Sequence, residues 1–191
     1  FMPALLLAQS LTNKEKRKIN SQVLSVVEEY ERYASLYDDN VVERFSMLFT
    51  DDAHIQSDIM GSSSYLKSIS VSEYIDQMKR NSVSTVIIVK DVIKGDIQYD
   101  NGNWIIPVSF KKLMHYIDDN GYIFSFNNFY SSDISVRMSL IYNEDEDCCL
   151  IDSIECDIDS DKVFPEGRFY IIDRRAKGVD YVYYNQTPLY I

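Results

Sequence analysis

The stretch "ERFSMLFTDDAHIQSDI", from Glu43 to Ile59, changes its hydrophobic rhythm halfway along. Phe45, Leu48 and Phe49 fall at helical spacing, which predicts a short amphipathic helix running to about Phe49. After Asp51-Asp52 the period becomes two. Ala53, Ile55 and Ser57 alternate with His54, Gln56 and Asp58, as in a short strand with one face buried.

Working outward, the upstream segment opens on Thr12-Asn13-Lys14-Glu15, a capping box that predicts a helix start. Ile19, Val23, Val26, Val27, Tyr30, Ala34 and Tyr37 form one apolar stripe behind it, and Asp38-Asp39-Asn40 ends the helix and starts the next. Downstream, "GSSSYLKS" reads as a loop. A second box, Ser70-Val71-Ser72-Glu73, begins a third helix that packs Tyr74, Ile75 and Met78. From Thr85 the pattern is strand throughout: a run to Tyr99, a "DNGN" turn, a return from Trp104, a second "DNG" at Asp119 to Gly121, a run from Tyr122 to Asn143, and "CCLIDSIECDI". Asn-Gly between strand-like runs marks hairpins, because the turn residues must accept positive φ. Such long strands are expected to bend, near Gly95 and around Asn127-Asn128 or Ser131-Ser132. One sheet face carries Trp104, Ile106, Val108 and Phe110, and then Ile134, Val136, Met138 and Leu140.

A chain of 191 residues with 46% hydrophobic and 26% charged residues is globular in composition and large enough to bury a core without a disulfide or metal. Its net charge of −11 repels phosphate backbones and argues against a nucleic-acid partner. The basic run Lys14 to Lys18, interrupted by Glu15, reads as a solvated helix face. Cys148, Cys149 and Cys156 are odd in number and match no zinc spacing, so buried free thiols are expected. Two histidines are too few for a histidine-rich metal site, and no phosphate loop or nucleophile elbow is present; neither metal nor cofactor is expected. No apolar run approaches the ~20 residues of a membrane helix. Pro3 to Ala8 reads as the end of an export signal, with Leu6-Leu7-Ala8 before Gln9 as a small-residue cleavage site, and predicts a periplasmic or secreted protein. The division expected is therefore residues 1–8 as signal remnant, 9–160 as one domain, and 161–191 as a β-hairpin extension or the start of a further module.

Helix, helix, short strand, helix and four long curved antiparallel strands, with "RFSMLFTDDAHIQSD" and "VRMSLIYN", resemble the nuclear transport factor 2-like superfamily, which includes ketosteroid isomerases and SnoaL-like cyclases. The resemblance covers about Asn20 to Asp159. It implies an α+β cone in which three N-terminal helices pack inside a curved antiparallel sheet, and, as often in the family, a homodimer through the open sheet face. Fold alone does not give function. Carried over residue by residue, the isomerase tyrosine on the first helix falls on Tyr33, and the isomerase base falls on Ser57. Asp58 follows it and is expected on the other strand face. A serine lacks the carboxylate that proton abstraction needs.

Other polar candidates are His115, in "LMHYI", and Asp152, in register with Leu150 and Ile154 unless a bulge turns it outward. His54 is expected to face away from Ile55. Tyr30, Tyr33, Tyr37, Phe45, Phe49, Trp104, Phe110, Phe124 and Phe126 are aromatics that could line a cavity or fill a core. The candidate ligand-binding set is Tyr33, Ser57, Asp58, Trp104, His115 and Asp152. The expected function is an exported, non-catalytic module binding a small apolar ligand or a protein partner. The alternative is a lyase or isomerase acting on an apolar carbonyl compound.

Overall fold

The computed structural model describes residues 11–34, 39–59, 64, 66–81, 84–117, 123–125, 134–157, 172–173, 181–184 and 187–190. For residues 81, 84–86, 114–117, 123–125 and the last three of these segments, it describes the backbone alone. Residues 1–10, and with them the export expectation, lie outside this set, as do Tyr37, the turn at 119–121, the bends expected at 127–128 and 131–132, and Phe126.

The first helix, α1 (Asn13–Tyr33), starts where the capping box places it. The Thr12 hydroxyl accepts from the Glu15 amide at 3.3 Å, and the Glu15 carboxylate accepts from the Thr12 amide at 2.6 Å. Ile19, Val23, Val26, Val27 and Tyr30 are its buried stripe, and Ala34 caps its end. The next helix, α2 (Asp39–Ser46), buries Val41 and Phe45. It stops three residues short of the expected Phe49, because the Leu48 amide closes the last turn on the Phe45 carbonyl while the Leu48 carbonyl accepts from Ile151 at 2.7 Å. Strand β1 (Phe49–Gln56) thus begins before the two acids, not after them. Asp51 and Asp52 are exposed within β1, at an irregularity between Phe49 and His54, while Phe49, Ala53 and Ile55 face the core.

A three-residue strand, β2 (Ser68–Ser70), pairs with β1 and leads into α3 (Val71–Asn81). There the Ser70 hydroxyl accepts from the Glu73 amide at 3.2 Å, while the Glu73 carboxylate is bonded by Ser64 and Gln77. The long run that follows is divided into β3 (Ser84–Lys94) and β4 (Gln98–Asp100), both paired with the central strand β5 (Asn103–Ile117). The break falls opposite Pro107, and the two are matched. The Gly95 amide donates to the Pro107 carbonyl at 2.8 Å, so the return bond would need the N–H that proline lacks. The Gly95 carbonyl instead accepts from the Lys94 ammonium at 3.0 Å. A side chain at Gly95 would put its Cβ 2.8 Å from the Pro107 ring, so the approach requires glycine. Between β4 and β5, Asn101 (φ 48°) and Gly102 (φ 91°) make the expected turn with two positive φ values.

On the other side of β5 lie β6 (Ile123–Ser125) and β7 (Ile134–Asn143), and β7 pairs with β8 (Cys148–Asp157). The four long strands β3, β5, β7 and β8 pair antiparallel, as expected, and the short β1 adds a parallel pairing with β8, so the sheet as a whole is mixed. Leaving α2, β1 docks on the open edge of β8 with its apolar residues turned to the helices, and its direction is set by the helix it continues. Near the C-terminus β9 (Ile172–Asp173) joins β6, and β10 (Tyr181–Tyr184) forms a hairpin with β11 (Thr187–Tyr190). The core lies between α1, α2 and α3 and the inner sheet face. Trp104, Ile106, Val108, Phe110, Ile134, Val136, Met138 and Leu140 are all buried, as their alternation predicts. All three cysteines are free, with Cys149 and Cys156 buried. No described helix is long and apolar enough to cross a membrane.

Candidate functional site

The inward alternation of β5 does not stop at Phe110. Two residues on, at the same parity and opposite Ile134, stands Lys112, which is 1% exposed. A lysine at that depth requires a counter-charge. Asp58 supplies it, with Oδ2 2.7 Å from the ammonium, and both side chains are 1% exposed. Tyr30, from the inner face of α1, accepts from Lys112 at 3.0 Å. The Tyr74 hydroxyl, in the first turns of α3, accepts from it at 3.4 Å and donates to Asp58 Oδ1 at 3.1 Å. The Cys156 thiol of β8 is 4.0 Å from Asp58 Oδ2. Five segments of chain therefore meet at one polar centre within an aromatic shell. Tyr30 lies beside Phe45 and Phe110, and Tyr74 stacks on Phe45.

Asp58 reaches this centre because β1 has already ended. The Ser57 amide donates to the Lys67 carbonyl at 2.9 Å, and the Ser57 carbonyl accepts from the Leu66 amide at 2.7 Å, which closes a loop and breaks the strand alternation. The Ser57 hydroxyl donates to Gln77 at 3.3 Å and accepts from the Ile59 amide at 3.4 Å. Ser57 and Asp58 are consequently both buried, so the expectation that Asp58 faces the opposite side does not hold.

The electrostatics follow from burial and pairing. Burial acts to lower the Lys112 pKa, but the Asp58 carboxylate, with Tyr30 and Tyr74 behind it, outweighs it, and the ammonium sits well above the ordinary lysine value. Burial raises the Tyr30 pKa against the pull of Lys112, so this phenol stays protonated at neutral pH. Burial, then the Asp58 charge, pushes the Cys156 thiol up, which keeps it un-ionised and a poor nucleophile. Tyr30 has one further property. Its oxygen accepts from Lys112, and among the described residues no acceptor stands opposite its own O–H.

The remaining candidates are elsewhere. Tyr33, one turn beyond Tyr30, is half-buried at the end of α1, with the Arg44 guanidinium 5.9 Å from its ring centre; Tyr30 is the inward tyrosine. Trp104 is buried towards the far end of β5 against Tyr99, its indole N–H donating to Glu144 at 2.5 Å. Asp152 is the extra residue of a bulge: Ser139 pairs with Ser153 and Leu140 with Ile151, which leaves Asp152 half-buried and out of register with Ile154. His115 pairs through its backbone with Val86 and Ser125, and its side chain lies outside the described residues. Thus Ser57 and Asp58 come together at the centre, while Tyr33, Trp104 and Asp152 do not join them. Lys112, Tyr74 and Cys156 were not among the candidates, and Tyr30 was named only among the aromatics that could line a cavity or fill a core. The available signal was Lys112 itself, a charged residue continuing an inward alternation. Among the described residues no group of acids, histidines and cysteines is placed to hold a metal ion.

No protein-family model matches this sequence, and no curated protein sequence matches it. Solved structures do match it. A proposed aromatic ring hydroxylase from Novosphingobium aromaticivorans superposes with a TM-score of 0.54 at 9% identity, over 78% of this chain and 92% of that one. The association domain of C. elegans CaMKII gives 0.50 at 9% identity, over 76% and 98%. A proposed scytalone dehydratase from Novosphingobium aromaticivorans gives 0.50 at 10% identity, over 82% and 95%. The chain has the nuclear transport factor 2-like fold.

Proposed function

We propose that this domain is a non-catalytic binding module whose cone holds a small, largely apolar molecule by a carbonyl oxygen placed against the Tyr30 hydroxyl. The observation that carries the reading is that phenol: buried, protonated, backed by an ammonium on its oxygen, and with no acceptor for its proton among the described residues. A buried donor of this kind favours a ligand that brings an acceptor. Turnover is disfavoured by the same centre. A general base must reach the substrate proton, whereas Asp58 is held in place by Lys112 on one oxygen and by Tyr74 on the other. A lysine nucleophile must be neutral, and Lys112 is held charged. The fold neighbours described as a hydroxylase and a dehydratase make an enzymatic role the second reading.

Calorimetry with neutral steroid-like and polyketide-like ketones tests the proposal. Binding that weakens about tenfold in Tyr30→Phe supports it, this being the order of one hydrogen bond in a buried site. Ketone binding that is unchanged in Tyr30→Phe, or turnover abolished by Asp58→Asn, overturns it.

The outer sheet face supports a second copy of the chain as partner. It carries a cleft of about 330 Å³ lined by Ile93, Pro107, Ser109, Arg137, Ser139 and Glu155, among other residues, and Ile93 is largely exposed beside it. Arg137 and Glu155, cross-strand neighbours 3.0 Å apart, present both charges needed for a two-fold contact. Sedimentation of the wild type against Arg137→Glu tests this. A dimer dissociated by the substitution supports it, and a monomeric wild type overturns it.

A further inference from the structure

We infer that Asp58 sets the charge of the molecule the cone accepts: with Asp58 in place the centre takes a neutral acceptor and excludes anions, and without it the centre becomes a carboxylate site. The inference rests on the reading of the cone as a binding site. Lys112 is the cation of this centre, and the charge acting on it from the described residues is that of Asp58, followed by two phenols and a thiol. The ammonium and carboxylate are 2.7 Å apart and both are sealed from water, so these two charges cancel each other. An incoming carboxylate or phenolate would add a second negative charge where, among the described residues, no further cation compensates it, and burial of an uncompensated charge is strongly opposed. A ketone brings an acceptor and no charge.

The arrangement of supports has the same sense. Asp58 is held by groups that do not depend on a ligand: Tyr74 on Oδ1, and the Ser57–Gln77 bond together with the Ser57–Lys67 and Leu66–Ser57 backbone bonds that fix the loop root. Tyr30 and Lys112 stand on rigid elements, α1 and β5, on the other side of the ion pair. Removing the Asp58 carboxylate leaves the ammonium and two phenols where they are, which is an arrangement of donors suited to two oxygens of one anion.

Two variants test this. In Asp58→Ala, which opens a carboxylate-sized space beside Lys112, sodium formate is titrated against sodium gluconate at matched ionic strength while the thermal midpoint is followed. A saturable rise with formate is expected in Asp58→Ala, with none in the wild type or in the Asp58→Ala, Lys112→Met double variant. If Asp58→Ala is unfolded in buffer, the gain of folded protein on adding formate is the readout. No formate effect, or the same effect in the double variant, overturns the inference. In Asp58→Asn, affinities for a neutral ketone and a carboxylate of matched shape are compared with wild type. The preference is expected to move toward the carboxylate by on the order of 10²-fold, the size of an uncompensated buried charge. An unchanged preference overturns the inference. If no ketone binds the wild type, the reading of the cone as a ketone site falls and this inference falls with it, and formate restoring Asp58→Ala then shows only that Lys112 needs a carboxylate beside it. If ketones bind the wild type and Asp58→Asn with the same preference over the carboxylate, the binding reading stands and this inference alone is overturned.

Discussion

A double-mutant cycle on Asp58 and Lys112 measures what the polar centre contributes to the fold. Each partner is 1% exposed and they are 2.7 Å apart, so removing either charge leaves the other in the apolar interior. Breaking a buried pair from one side costs about 3–5 kcal/mol. Asp58→Asn should fall at the lower end, about 3 kcal/mol, because the amide oxygen can still accept from Lys112 or Tyr74. Lys112→Met should reach about 4 kcal/mol, since the carboxylate then keeps Tyr74 alone of the two contacts. The double variant has no buried charge. Its main remaining cost is a Tyr30 hydroxyl that has lost its donor, about 1–3 kcal/mol. The sum of the singles, about 7 kcal/mol, should therefore exceed the double by about 4–6 kcal/mol. Urea unfolding followed by far-UV circular dichroism gives all four corners of the cycle. Singles that add to within about 0.5 kcal/mol would refute the reasoning, because the two groups would then not share one desolvated environment.

Because the folded-state pKa of Lys112 is raised, its contribution is fully present below the unfolded value of ~10.4 and is lost as pH rises through the folded value; Lys112→Met should accordingly flatten the alkaline limb of the stability–pH curve measured by urea midpoints. Gly95→Ala should destabilise the domain by about 1–3 kcal/mol, since its Cβ meets the Pro107 ring at 2.8 Å, and adding Pro107→Ala should recover part of the loss in the same assay. Thr12→Ala removes the hydroxyl half of the α1 cap while the Glu15 carboxylate keeps the residue-12 amide, and it should cost about 1 kcal/mol by thermal unfolding. If Leu6-Leu7-Ala8 is a cleavage site, mass spectrometry of the native protein will find Gln9 as its first residue; an intact peptide spanning Ala8 and Gln9 opposes it.

The parts of the fold legible in the sequence are those in which local chemistry and burial agree. Thr12 and Glu15 cap each other three residues apart, Asn101-Gly102 can take two positive φ values, and the inward residues of β5 and β7 alternate without interruption. The site was less legible because it lies where alternation fails. Asp58 was assigned to the wrong face because the strand ends at Gln56, through backbone bonds to Leu66 and Lys67. The direction of Asp152 was left open between an inward register and a bulge, and the bulge is fixed only when β8 meets β7. Tyr33 and Tyr30 are a helical turn apart, and which of them faces Lys112 depends on how α1 lies on the sheet. Lys112 alone was within reach of local reasoning, as the next inward position after Phe110.

The parallel pairing of β1 with β8 also bears on when the cone can close. His54 and Ile55 pair with Ser153 and Ile154, about a hundred residues further along the chain. At a synthesis rate of roughly 5–20 residues per second, β1 waits ~5–20 s at the ribosome for its partner strand. Through that interval Phe49, Ala53 and Ile55 have only the helices and β2 to cover them. Asp58 is made before Lys112, and Lys112 before the strand that seals the wall beside it. Both partners of the ion pair therefore precede β8 in the chain, and full desolvation of the pair is expected only once β8 completes the sheet.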